Sequence, residues 1–75
     1  MSEDPFAEKL FEMKLAEIYR SHPWLADEFT EQEFVALFPV SYNKQRRPVE
    51  LVKPNRDFYR EIYLEVLVAF KQSFG

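Results

Sequence analysis

The sequence predicts a mostly α-helical class: a small three-helix domain with a proline-containing basic loop or short β-hairpin between helices 2 and 3. Three observations lead to this prediction. Apolar residues recur at helical spacing near both ends of the chain, a helix-start motif lies in the middle, and three prolines accompany two β-prone runs between residues 39 and 54. Because the chain has only 75 residues, we expect one domain that spans residues 1–75.

The first predicted helix runs from about Pro5 to Arg20. Asp4 can cap its amide hydrogens, and a proline is tolerated at the first helical position. Two adjacent apolar stripes follow, one of Ala7, Phe11, Leu15 and Ile18 and the other of Phe6, Leu10 and Met13. Pro23 disfavours helical geometry at the residue before it, so the helix should end there.

The second predicted helix begins at a capping box, Thr30-Glu31-Gln32-Glu33. In this motif the Thr30 and Glu33 side chains each accept a hydrogen bond from the other residue's backbone amide. Phe29 and Phe34 flank the box as a hydrophobic staple. We expect this helix to run from Glu31 to about Phe38.

The segment between residues 39 and 54 places β-prone runs at 40–42 and 49–52 on either side of a basic stretch at 43–47. A small hairpin and an extended arm both fit this pattern. We favour an ordered loop with at most a short hairpin, because an isolated two-stranded hairpin is marginal unless it packs on a helix.

The third predicted helix runs from about Arg56 to Ser73, with Asn55 as its cap. Residues 62–70 form an almost continuous apolar run that could also be a buried strand, but no turn residue interrupts the longer segment, and this length favours a helix. Leu64 and Val68 lie outside the main apolar arc. They share a face with Arg60, Glu61, Lys71 and Gln72.

We expect helices 1 and 3 to pack against each other. Helix 2 and Trp24 should then close one end of this bundle, and the 39–54 loop should project from it. Eight Phe, four Tyr and one Trp give this short chain an aromatic core. The predicted core residues are Phe11, Leu15, Ile18, Trp24, Phe34, Leu37, Phe38, Ile62, Val66 and Phe70.

Charge is distributed unevenly along the chain. Residues 1–33 contain nine acidic and three basic residues, whereas residues 34–57 contain five basic and two acidic ones. The chain has no cysteine, which excludes disulfides and thiolate metal sites and fits a reducing compartment. The polar, acidic N-terminus does not resemble a signal peptide, and no apolar stretch is long enough for a membrane span. We therefore expect a cytoplasmic location.

Catalytic motifs are missing from the sequence. His22, the single histidine, has no companion nucleophile or ligand, and we interpret it as a helix-end residue that complements the helix dipole. The carboxylates are interleaved with apolar residues as on a solvated helix face, and neither a phosphate-binding glycine loop nor a nucleophile elbow is present. We expect a protein that is not an enzyme and that uses no cofactor and no metal.

Two functions remain. The first is a non-catalytic protein–protein interaction module, a small regulator or subunit that docks through an apolar helix face, as a homodimer. Its candidate partner-binding residues are Leu64, Val68, Phe6, Leu10 and Met13. Few segments remain in so short a chain to cover two faces of two long helices. In the alternative interpretation these stripes are simply core, covered by the aromatic 24–38 region.

The second function is a nucleic-acid-binding or nucleoprotein accessory role. The candidate residues are Tyr42, Lys44, Arg46 and Arg47, since a basic loop tip beside an aromatic ring can contact phosphates and stack a base. The acidity of helix 1 counts against this role, because it would repel a phosphate backbone. Glutamates on the polar face of helix 1 also disfavour binding to a membrane surface.

Overall fold

Two long antiparallel helices, α1 (Pro5–Ser21) and α3 (Tyr59–Phe74), form the body of the molecule. A computed structural model describes residues 5–75 of the chain. Near the start of α1, the Phe11 ring meets the rings of Phe70 and Phe74 edge to face, with centroids 5.8 Å apart in both pairs. The predicted fold class is confirmed, since three helices are present and a short hairpin separates the second from the third.

A 3-10 turn, Pro23–Asp27, connects α1 to the short helix α2, Glu31–Ala36. The capping box is formed as predicted: the Glu33 amide donates to the Thr30 hydroxyl at 3.2 Å, and the Thr30 amide donates to the Glu33 carboxylate at 2.9 Å. The Tyr19 hydroxyl of α1 donates to the carbonyl of Phe29 at 2.6 Å. This hydrogen bond ties the start of α2 to α1.

The helix α2 ends at Ala36, before the predicted boundary at Phe38. The amides of Leu37 and Phe38 bond to carbonyls three residues back, as in a 3-10 turn. This tightening directly precedes Pro39, where the chain leaves the helix for the first strand.

The 39–54 segment contains a short hairpin of strands β1 (Val40–Tyr42) and β2 (Pro48–Leu51), paired antiparallel with Val40 opposite Leu51. The register shifts between Ser41 and Tyr42. Leu51 is half-buried and packs on the core, and β2 also contacts α3. The hairpin is therefore supported by a helix, which a two-stranded sheet needs to be stable.

The third helix begins at Tyr59, three residues after the predicted start, and Asn55 does not cap it. No side chain caps this helix; the amides of Tyr59, Arg60 and Glu61 bond to carbonyls three residues earlier. Aromatic packing instead positions the chain where it enters this helix. The centroid of the Phe58 ring lies 5.2 Å from that of Phe29 and 6.4 Å from that of Trp24. The other predicted cap, Asp4, lies outside the described residues.

The core runs between α1, α2 and α3. Seven of the ten predicted core residues are buried, namely Phe11, Leu15, Ile18, Phe34, Phe38, Ile62 and Val66. Trp24, Leu37 and Phe70 are less buried than predicted, because they lie half-buried at the edge of the core. Leu25 is fully buried where Trp24 was expected, because the 3-10 turn directs the Leu25 side chain inward and leaves the larger ring at the rim.

Candidate interaction surfaces

The α3 stripe, defined as Leu64 and Val68, lies on the side of α3 opposite the core residues. Leu64 is 71% exposed and Val68 is 50% exposed. Their neighbours Ile62 and Val66 are fully buried, so the third helix has apolar residues on both its inner and its outer faces. Neither the hairpin nor the 24–38 region covers the stripe.

A shallow groove of about 430 Å³ runs beside the α3 stripe, between α3 and α1. Its lining residues are Lys14, Glu17, Ile18, Ser21, Leu64, Glu65, Val68, Ala69 and Gln72. Lys14 Nζ donates to Gln72 Oε1 at 3.1 Å, and His22 Nε2 lies 2.7 Å from Glu65 Oε2. These two contacts join the long helices on the side of the molecule that carries the α3 stripe.

His22 therefore has a structural partner. Its ring contacts the Glu65 carboxylate and lies 5.9 Å from the Trp24 ring in an edge-on arrangement. This position links the end of α1 to the middle of α3. The arrangement agrees with the interpretation of His22 as a helix-end residue, although its partner is a side chain rather than a terminal carbonyl.

Opposite charges flank the α3 stripe. Glu61 precedes Leu64 by three residues, and Lys71 follows Val68 by three residues. On a helix, where each residue advances by about 100°, Glu61 and Lys71 fall on opposite sides of the stripe at equal angles. The stripe and its two flanking charges are therefore arranged symmetrically about Val66, and the charge is negative on one side and positive on the other.

The second predicted stripe is also accessible, but it lies apart from the first. Phe6 is 71% exposed, Met13 is 57% exposed, and Leu10 is half-buried. None of these residues lines the groove beside the α3 stripe, and Met13 instead lines a groove on another side of α1. The structure does not join the five predicted partner-binding residues into one surface.

The larger groove, which we call the acidic groove, has a volume of about 690 Å³ and lies between α1 and the α2–β1 segment. Its apolar lining residues are Phe11, Met13, Leu15, Ala16, Val35, Ala36, Phe38, Pro39, Val40 and Phe74. Tyr42 and Gln32 also line it, and its charged lining residues are Glu8, Lys9, Glu12, Glu17, Arg20 and Glu31. Arg20 and Glu31 form an ion pair across it at 3.1 Å.

Sequence reasoning missed this groove because it treated the carboxylates of α1 as a solvated face. One signal was available. Glu8, Glu12, Ala16 and Arg20 recur at intervals of four residues, so they lie along one side of the helix. The small side chain of Ala16 leaves room beside two carboxylates of like charge.

The four candidate nucleic-acid residues occupy the hairpin. Lys44, Arg46 and Arg47 are exposed in its turn, whereas Tyr42 is half-buried in β1 and faces the acidic groove. The Asn43 carboxamide accepts hydrogen bonds from the amides of Gln45 and Arg47, both at 3.0 Å. Arg46 adopts a φ of 62°, a left-handed conformation that closes such turns. The basic tip is therefore an ordered turn.

Two further basic residues of this region, Lys53 and Arg56, are held against aromatic rings. Lys53 Nζ lies 5.0 Å from the Tyr63 centroid, and the Arg56 guanidinium carbon lies 5.7 Å from the Phe29 centroid. These distances are typical of cation–π contacts. They attach the segment between β2 and α3 to the aromatic core. Lys53 and Arg56 therefore have structural contacts, unlike the candidate nucleic-acid residues of the exposed turn.

Burial raises the pKa of the Tyr59 phenol, and the neighbouring Tyr63 raises it further. Within residues 5–75, no group of three or more acidic, histidine or cysteine side chains is arranged to hold a metal ion. Across the same residues, no helix combines the length and the apolar character needed to cross a bilayer.

Neither a protein-family model, nor a curated protein sequence, nor a solved structure matches this chain.

Proposed function

We propose that this protein is a non-catalytic interaction module, a small regulator or subunit that docks through the α3 stripe and functions as a homodimer. The observation that carries the proposal is the exposure of Leu64 and Val68 on the outer face of a helix whose inner face is core. In a monomer, apolar side chains this exposed contribute little hydrophobic stabilisation. An apolar helix face is a common docking surface for a second helix.

A second copy is the partner that best fits the charge pattern. When two α3 helices pair antiparallel about a two-fold axis at Val66, Leu64 of one copy lies over Val68 of the other. The same register places Glu61 opposite Lys71, because both pairs of residue numbers have the same midpoint. A two-fold interface must be self-complementary in this way.

The energetics predict a weak dimer. Full burial of a leucine or valine side chain contributes about 1.5–3 kcal/mol, so the four stripe side chains of two copies contribute at most about 6–12 kcal/mol. Loss of translational and rotational freedom on association costs about 4–15 kcal/mol. The net gain is therefore at most about 8 kcal/mol, so we expect a dissociation constant on the order of 1 µM or weaker, with the Glu61–Lys71 pairs setting the register.

The first test removes the apolar contact. We expect the double variant Leu64→Lys/Val68→Lys to sediment as a monomer at concentrations where the wild type dimerises, from about 5 to 500 µM. Its far-UV circular dichroism should be unchanged, because both side chains are exposed. A wild type that stays monomeric over this range, or a double variant that dimerises equally well, contradicts the proposal.

A charge swap tests the antiparallel register. Glu61→Lys alone places two lysines opposite each other in the dimer, and Lys71→Glu alone places two glutamates opposite each other. Each single variant should dimerise less than the wild type, while an equimolar mixture of the two should form a heterodimer with both ion pairs restored. If the mixture associates no better than the separate variants, the register is wrong.

The alternative function is a nucleic-acid-binding or nucleoprotein accessory role for Tyr42, Lys44, Arg46 and Arg47. The ordered hairpin turn favours it, since three exposed cations are presented on a fixed backbone. Preorganisation lowers the entropy that a binding surface loses on contact.

Salt titration of binding to a labelled single-stranded oligonucleotide tests this alternative. If the three cations contact phosphates, the slope of log K against log salt should be about −2, because each contact releases condensed counterions. Lys44→Gln/Arg47→Gln should weaken binding, and Lys9→Gln/Arg60→Gln, with the same charge change elsewhere, should not. Absence of binding at low ionic strength eliminates this function.

A further inference from the structure

The acidic groove has the size and shape to hold a partner chain segment. Its wall on α1 extends from Glu8 to Arg20, which corresponds to about 18 Å along a helix axis. The volume of about 690 Å³ lies within the usual range for binding clefts. The ion pair between Arg20 and Glu31 bridges the two walls near the end of α1.

The side chains of this groove are arranged in two zones. Ala16, Val35, Ala36 and Val40 give apolar surface between α1 and the α2–β1 segment. Glu8 and Glu12, both exposed, lie one turn apart on the α1 wall, and Glu17 lies further along the helix. Apart from the ion pair between Arg20 and Glu31, the charged lining consists of these three glutamates and Lys9.

Glu8 lies in the first turn of α1, where the helix dipole favours a carboxylate, but Glu12 lies beyond that turn. Carboxylates four residues apart on a helix repel each other and destabilise it by about 0.2–0.5 kcal/mol. Within residues 5–75, no lysine, arginine or histidine forms an ion pair with Glu8 or Glu12. A cation supplied from outside the molecule would relieve this repulsion.

We infer that the acidic groove binds a basic amphipathic helix of a partner protein. The lysines or arginines of that helix meet Glu8 and Glu12, and its apolar side chains cover Ala16, Val35 and Val40. Such a helix needs about three turns to follow the groove from end to end. This site is separate from the α3 stripe, and binding here does not depend on self-association.

The test uses a fluorescein-labelled peptide of about 14 residues, with leucines on one helical face and lysines on the other, in a buffer of about 50 mM salt. A peptide of the same length with glutamate in place of each lysine serves as its charge-reversed control. We expect the basic peptide to bind to the wild type and the acidic peptide not to bind. Failure of the basic peptide to bind overturns the inference.

Two pairs of variants locate the binding. Glu8→Gln/Glu12→Gln should weaken peptide binding about fivefold, because each exposed ion pair contributes little by itself. Asp27→Asn/Glu28→Gln removes the same charge from exposed residues outside the groove and should have less than about a twofold effect. If both double variants weaken binding equally, the attraction is only that of net charge, and the inference is wrong.

A bulky side chain tests the groove without changing charge. Ala36 is exposed and lines the groove, while Ala26 is exposed outside it. We expect Ala36→Trp to weaken peptide binding more than about tenfold and Ala26→Trp to leave it unchanged. Equal binding by these two variants overturns the inference. A loss of self-association in Ala36→Trp would also overturn it, because the occupant would then be a second copy of this chain.

Discussion

The hydroxyl of Tyr59 is buried and has no hydrogen-bond partner among the described residues. Its ring packs on those of Phe38 and Tyr63, with centroids 5.7 and 5.2 Å away. A buried polar group without a partner costs about 1–3 kcal/mol. Tyr59 therefore contributes apolar area to the core while its hydroxyl lowers the stability of the fold.

We predict that Tyr59→Phe raises the free energy of unfolding by about 1 kcal/mol, because it removes the unpaired hydroxyl and keeps the ring. Urea denaturation at neutral pH measures the change. Tyr63→Phe is a suitable control, since Tyr63 is half-buried at the surface of the core. A less stable Tyr59→Phe variant would show that the hydroxyl has a partner in solution.

The same residue predicts how stability depends on alkaline pH. The pKa of Tyr59 is raised in the folded state above its usual value of 10.0, so the folded protein retains this proton more strongly than the unfolded chain. The resulting stability is fully present below pH 10 and is lost as the pH rises above that value. Tyr59→Phe should lose less stability than the wild type between about pH 9 and 11.

Individual residues show where prediction from the sequence reached its limit. The helical spacing of α1 and α3 identified Leu15, Ile18, Ile62 and Val66 as core correctly, because an apolar face on a regular helix leaves little choice. The same rule could not rank Trp24 against Leu25. Their burial depends on a 3-10 turn, whose shorter period no local signal in the sequence indicated.

The short helix α2 depends on its capping box more than on its length. It contains six residues, fewer than an isolated helix needs to be stable in water. Its first amides are paired by Thr30 and Glu33, and Phe34 anchors it in the core with no exposed surface. The cap and the anchor together hold this helix in place.

We predict that Thr30→Ala destabilises the fold by about 1 kcal/mol, because the Glu33 amide loses its side-chain acceptor. Thr30→Ser keeps the hydroxyl and should remain close to the wild type in stability. The two variants can be compared by the midpoint of urea denaturation. Equal midpoints for the alanine and serine variants would contradict the role of the cap.

Helix boundaries were predictable where a side chain sets them. The capping box located the start of α2 to the residue, whereas the start of α3 was misplaced because aromatic packing around Phe58 sets it instead. Packing between distant residues has no local sequence signature. For the same reason the sequence did not decide between a hairpin and an extended arm. The hairpin is supported by contacts with the core and with α3.

Over the whole molecule, the sequence predicted separate acidic and basic regions and two exposed apolar stripes. The structure shows the stripes on different surfaces, and it shows that some acidic residues line a groove with α2 and β1. A helical wheel places residues around one helix but does not show which neighbouring elements meet that helix. The acidic groove could therefore be identified only from the tertiary structure, because the α2–β1 segment forms its second wall.

The antiparallel packing of α1 and α3 also brings the two ends of the described chain together. Phe11, in the second turn of α1, contacts Phe74, next to the last residue, and Lys14 contacts Gln72. A short peptide linker could therefore join the ends, and the chain could be reopened elsewhere as a circular permutant. Reopening at the 43–47 turn would make α1 and α3 neighbours along the chain and would convert their long-range contacts into local ones. The same opening would separate β1 from β2 along the chain, and since local contacts favour fast folding, the folding rate of this permutant would show which of the two pairings limits folding.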